Sequence, residues 1–193
     1  MDKESNNIRS SCIRCGECCL KASPTLHLED IPLVRNGRID KANLYTIRVG
    51  ELVLDNINDT LMETPHEMIK LREKKEGRGC SYYDEVTKLC SNYANRPIQC
   101  TALACWDVSK FLQVHGRPKA VRKDIVTDTV LRGLIDRHEE KCSYKAVKQW
   151  VKRIESEGDS AIDKFMALLK FDYSLRPFVS EKLGVESLSL IHI

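Results

Sequence analysis

Cys12, Cys15, Cys18 and Cys19 fall in the pattern Cys-x-x-Cys-x-x-Cys-Cys, with Gly16 inside it. Two intervening residues let a tight turn bring two thiolates to one metal ion, and a glycine supplies the backbone freedom such a turn needs. The first three also have the spacing of ligands to a four-iron cluster of the bacterial ferredoxin kind, although the fourth, proline-followed cysteine is missing. Adjacent Cys18 and Cys19 would project about 100° apart on a helix and to opposite faces of a strand, so they are expected to serve different centres. The competing reading makes one of the pair a small buried hydrophobe.

Cys80, Cys90, Cys100 and Cys105 form a second group. Eight clustered thiols would satisfy two four-thiolate sites, or one cluster and one zinc. Ser81 to Leu89 reads as a short hairpin that sets Cys80 beside Cys90. Pro97 suits the first turn of a helix carrying Cys100, with Cys105 slightly more than one turn later. A ninth cysteine, Cys142, lies four residues after His138 and shares its helical face. That pair reads either as two further ligands or as a satisfied core histidine beside a buried thiol. His27, His66 and His115 have no cysteine at ligand spacing and are expected to be solvent-facing or structural.

These residues need elements to hold them. Residues 20 to 79 lie between the two groups, so a site using both must close a loop of roughly sixty residues, a cost that metal binding can offset. Within that segment Leu28 to Val34 resembles a short helix stopped near Gly37. Ile47, Val49, Leu52 and Leu54 suggest strand interrupted at Gly50, and Met68 to Arg72 another strand. Lys74 to Gly79 reads as an exposed turn leading into Cys80. From about Trp106 the pattern becomes helical. Val126, Val130, Leu131, Leu134 and Ile135 form one apolar stripe, Ala146, Val147, Trp150, Val151 and Ile154 a second, and Ile162, Phe165, Met166 and Leu169 a third. Gly158 separates the last two, with Asp159 or Ser160 capping the third helix. The expectation is a helix-rich α+β fold in a single domain over 1–187: an irregular, metal-stapled cysteine region (10–107) with short strands, packed on a helical half (108–187).

The 193 residues are 42% hydrophobic and 31% charged, with a formal net charge of +3. That balance suits a soluble globular chain and argues against nucleic-acid binding by bulk charge. No apolar run suggests a signal peptide or a membrane span, so the protein is expected in the cytoplasm. In a reducing compartment clustered cysteines act as metal ligands or reactive thiols rather than disulfides. Leu188-Ser189-Leu190-Ile191-His192-Ile193 is what CTG TCT CTT ATA CAC ATC encodes, which looks like a transposase adapter end. Residues 188–193 are therefore expected to be a non-native tail.

The whole pattern resembles the YkgJ-type cysteine-cluster family of zinc- or iron-chelating domains. The resemblance rests on Cys12-Ile-Arg-Cys15-Gly16-Glu-Cys18-Cys19, Gly79-Cys80-Ser-Tyr-Tyr-Asp84, Cys90 and Tyr93-Ala-Asn-Arg96-Pro97-Ile-Gln-Cys100, and spans roughly residues 10 to 107. Thr101 to Ala104 departs from the Arg-x-Phe-Pro before the last cysteine of many members. The resemblance implies metal binding through the eight cysteines, as zinc or iron, a 4Fe-4S cluster being one form the iron could take, without fixing a reaction. Some members resemble the cysteine-rich part of flagellin lysine methylases. Four thiolates on a divalent ion carry a net negative charge that nearby cations offset. Arg14, Lys21 and Arg96 are candidates, with Arg96 expected to touch a thiolate or an adjacent carbonyl and Tyr93 to pack beside the site. Three functions compete: a redox or cluster-dependent iron protein, a structural zinc module that presents its helical half to a protein partner, and a thiol redox switch. The chain has no phosphate loop, paired-histidine protease motif or nucleophile elbow that would argue for a particular enzyme.

Overall fold

The computed structural model describes residues 10–74 and 79–183. The adapter-like tail and most of the turn before Gly79 lie outside the described residues. The fold is helix-rich α+β, and among the described residues its strands form three separate antiparallel pairs.

The core sits in the first half. A 3-10 turn at Leu28–Asp30 runs into α2, Ile31–Arg35, which follows α1 at Glu17–Lys21. The helix ends before Gly37, whose φ of 68° lies in the left-handed region, as the sequence suggested. β1 (Leu44–Ile47) pairs antiparallel with β4 (Met68–Leu71), in the register Leu44 with Leu71 and Thr46 with Ile69. Side chains alternate across a strand, so these four share one face, and all four are buried. Leu44, Ile69 and Leu71 join Leu26, Ile31, Val34 and Ile39 in the core. Full burial of such an aliphatic side chain contributes about 1.5–3 kcal/mol. Between them β2 (Leu52–Asp55) and β3 (Thr60–Glu63) form a ribbon with most of its side chains exposed, and Gly50 (φ 80°) turns the chain into it.

The second half reaches this core through a few points. After β5 (Tyr83–Asp84), β6 (Leu89–Cys90), α3 (Ile98–Ala102) and α4 (Ser109–His115), Ala120 bonds Leu26 and Ile69 through its backbone. α5 (Arg122–Ile125) adds Ile125 to the core. α6 (Thr129–Cys142) is held by buried charges. Glu139 pairs with Arg48 at 2.9 Å and Arg122 at 3.0 Å, and Arg122 also grips Glu67. α7 (Tyr144–Glu157) and α8 (Asp159–Leu183) then fold back on each other around Gly158, φ 63°.

The helical half is less covered than its stripes suggest. Ile135 and Val126 are buried, although Val126 precedes α6 rather than lying on it. Val130, Val151, Ile162, Met166 and Leu169 are all exposed, from 38% to 66%, and α7 has no buried residue. Amphipathic spacing marks the face that a helix offers to neighbours. Here α7 and α8 offer theirs mainly to each other, and no further layer among the described residues closes over them.

Candidate metal centre

The first cysteine loop is shaped by two left-handed residues, Arg14 (φ 57°) and Gly16 (φ 85°). They wind the chain tightly enough for the Arg14 amide to donate to Cys12 Sγ at 3.4 Å, before α1 begins at Glu17. On that single helical turn the Sγ atoms of Cys18 and Cys19 stand 4.0 Å apart. This departs from the expected divergence of neighbouring side chains. The separation is close to the 3.8 Å or so between sulfurs of one tetrahedral zinc with bonds of about 2.3 Å.

The second group is fastened directly to this loop. Cys80 N donates to Cys19 O at 2.8 Å, and Gly79 (φ 88°) makes the approach possible. A Cβ on Gly79 would stand 2.3 Å from Cys19 O and 2.7 Å from Leu20 Cα. Across the loop, a Cβ on Gly16 would meet the Tyr83 hydroxyl at 1.8 Å. Tyr83 is buried on β5 directly opposite Cys90 on β6, so the expected hairpin exists and its tyrosine supports the loop. The two glycines are thus contact points, and Gly79, expected in an exposed turn, is buried against the first loop.

A buried polar network sets the position of α3, which carries Cys100. Asp30 Oδ1 accepts from Ile98 N at 2.8 Å, in the first turn of α3, and Asp30 Oδ2 accepts from His27 N at 2.9 Å. Gln99 accepts from Thr25 N and shares a contact of 3.1 Å with His27 Nε2, while His27 Nδ1 meets Pro118 O at 3.1 Å. The consistent assignment has Gln99 donating to Nε2 and Nδ1–H donating to the carbonyl. His27 is therefore structural and fully buried. Nothing in the local sequence names its partner seventy-two positions away. α3 ends at Ala102 and Leu103 is extended, so Cys105 lies beyond the helix rather than one turn along it.

Cys80 is buried, Cys19, Cys90 and Cys100 are half-buried, and Cys12, Cys15, Cys18 and Cys105 are exposed. Cys19, Cys80 and Cys100 each sense the charge of neighbouring cysteines, Cys90 among them. Cys19 responds to Cys18, Cys100 and Cys90, and Cys100 to Cys80, Cys18 and Cys90. Burial raises the thiols of Cys80 and Cys100, and the hydrogen bond shared with Cys18 raises that of Cys19. The same shared bond, helped by Arg96, lowers Cys18 to about 6. Without a cation the cluster resists gathering several thiolates, so a metal ion would bind with release of protons. Among the described residues no group of three or more His, Cys, Asp or Glu side chains is drawn together tightly enough to hold an ion as it stands.

Arg96 bears on whether a metal fits. Its guanidinium lies 3.6 Å from the centroid of the Tyr93 ring, and that of Arg14 lies 4.6 Å from the same centroid. Arg96 Nε is buried with no hydrogen-bond partner among the described residues, yet the group acts electrostatically on both Cys18 and Cys100. A buried donor without an acceptor costs free energy unless something negative accompanies it. A metal held by thiolates is such a group, and the donor set of soft sulfurs suits zinc or iron. The residues present fit.

His138 and Cys142 lie elsewhere. His138 Nε2 meets Asp172 Oδ1 of α8 at 2.8 Å, and Cys142 Sγ points to Leu168 O at 3.9 Å. Their electrostatic neighbours include Arg48, Glu139 and Asp172, with no other cysteine among those found. The structure places the pair in the α6–α8 seam and not with the other eight cysteines.

A family model named CxxCxxCC, described as "Putative zinc- or iron-chelating domain", matches residues 11–143. The chain belongs to this family. No curated protein and no solved structure matches it. The CxxCxxCC match agrees with the cysteine pattern and supports metal binding in general terms. It ends at Ser143, the N-cap of α7, so α7 and α8 lie outside it.

Proposed function

We propose that the protein holds one zinc or iron ion on Cys19, Cys80, Cys90 and Cys100, and that this centre staples the first half of the fold. The carrying observation is the backbone bond from Cys80 to Cys19, which joins the two cysteine groups where Cys19, Cys80 and Cys100 each sense the charge of Cys90. Arg96 offsets the negative charge of the loaded centre, and Tyr93 holds Arg96 in place. Cys12, Cys15, Cys18 and Cys105 are the outer thiols of the family pattern, available to a larger centre. A 4Fe-4S cluster is the alternative occupant, favoured by the spacing of Cys12, Cys15 and Cys18. A reducing, cytoplasmic setting belongs to this proposal because eight free, clustered thiols would be oxidised elsewhere.

A second reading gives the loaded module an interaction role. The exposed apolar residues of α6 to α8, including Val130, Val151, Ile162 and Met166, favour a protein partner on the helical half. Anaerobic purification followed by metal and sulfide analysis tests the first reading. Colourless protein with one tightly held zinc supports the simple centre, and brown protein with iron and sulfide supports the cluster. Loss of metal from Cys19→Ser, Cys80→Ser and Cys100→Ser is expected, while retention of full metal content by all three would refute the assignment.

A further inference from the structure

Resting on that reading of the inner thiols, we propose that Cys18, Arg14 and Arg96 form a loading port, which takes metal by ligand exchange from an anionic metal–thiolate complex. Accessibility gives the first argument. Cys80 is buried and Cys19, Cys90 and Cys100 are half-buried, whereas Cys18 is exposed with its sulfur 4.0 Å from Cys19 Sγ. Cys12, Cys15 and Cys105 are exposed too, but Cys18 is the exposed thiol that stands beside an inner ligand, so an ion bound there is within reach of Cys19.

Charge gives the second. Arg14 and Arg96 share the Tyr93 ring, and among the described residues neither guanidinium pairs with a carboxylate. Two such cations repel a free divalent ion and draw in an anion, and a divalent metal carrying three or four thiolates is an anion. Backbone gives the third. Arg14 is held left-handed, which an L residue adopts only where its surroundings enforce it, and in that conformation its guanidinium reaches Tyr93.

The exchange balances without redox chemistry. Cys18 Sγ forms a bond to the metal as one donor thiolate leaves, and the Cys18 proton passes to that thiolate or to water. Cys19 displaces the next donor thiolate in the same way. The test measures zinc uptake by reduced, anaerobic apo protein, offered as a zinc–glutathione complex or as aqueous zinc, with bound metal counted after rapid desalting. Cys18→Ser and Cys18→Ala are expected to reach the wild-type zinc content, but to load from the complex about tenfold more slowly. Arg14→Glu is expected to slow loading from the complex by about tenfold and to leave loading from aqueous zinc no slower. Loading from the complex at the wild-type rate by these variants would overturn the port. A lower equilibrium zinc content in both Cys18 variants would overturn it too, by making Cys18 a permanent ligand. Failure of the underlying centre looks different: wild-type protein takes up no zinc, or Cys19→Ser keeps its full content.

Discussion

Replacing Gly79 by alanine should separate the two halves of the proposed centre. The added Cβ would lie 2.3 Å from Cys19 O and 2.7 Å from Leu20 Cα, both backbone atoms that no rotamer change can move aside. Its φ of 88° adds a conformational penalty of about 1–2 kcal/mol for an L side chain. Overpacking against backbone contributes about 1–3 kcal/mol more. The expected loss is therefore about 2–5 kcal/mol, or on the order of 10 °C in Tm at this chain length. Gly37→Ala is the matched control, because Gly37 is also left-handed (φ 68°) but a Cβ there meets nothing within 4 Å. Thermal unfolding of both variants, with and without saturating zinc, isolates the clash from the backbone penalty. Gly79→Ala should also show weaker metal retention, whereas Gly37→Ala should not. Equal Tm losses in the two variants, with equal metal content, would refute the junction of Cys80 with Cys19 as the structural basis of the site.

Asp30→Ala should cost about 2–4 kcal/mol in chemical unfolding, because two buried amides, of His27 and Ile98, lose a charged acceptor. It should also loosen metal binding through Cys100. Burial holds His27 and His138 below their ordinary value of 6.5, so both stay neutral in the folded state while the unfolded chain takes up protons. Their contribution is complete above pH 6.5 and is lost as pH falls further, so Tm should decline on acidification and His138→Gln should flatten that decline. Glu139→Gln removes the carboxylate shared by Arg48 and Arg122, whose side chains are only 8% and 5% exposed, and should cost about 3 kcal/mol in urea unfolding.

The local punctuation of the fold was readable where one residue type has few alternatives. Gly37, Gly50 and Gly158 sit at the predicted breaks with positive φ, and the hairpin after Cys80 forms as its turn residues suggest, although its register sets Tyr83 rather than Cys80 opposite Cys90. Cysteine spacing likewise pointed to the family. What the chain did not disclose depends on contacts remote in sequence. The 4.0 Å approach of Cys18 and Cys19 is a matter of rotamers, and the Asp30–His27–Gln99 network joins positions about seventy residues apart. Hydrophobic periodicity identified the helices α6 to α8 but not how far each would be covered, since that depends on the number of neighbours rather than on the pattern itself.

The bare surface of α7 bears on the order in which the molecule comes apart. With no buried residue between Tyr144 and Glu157, this helix can unravel without exposing Leu26, Ile69 or the other side chains of the core. Its amide hydrogens should exchange through local openings well below the global unfolding free energy, ahead of β1 and β4. A protease that trims the chain would then find its first substrate there, and leave the cysteine-bearing half intact.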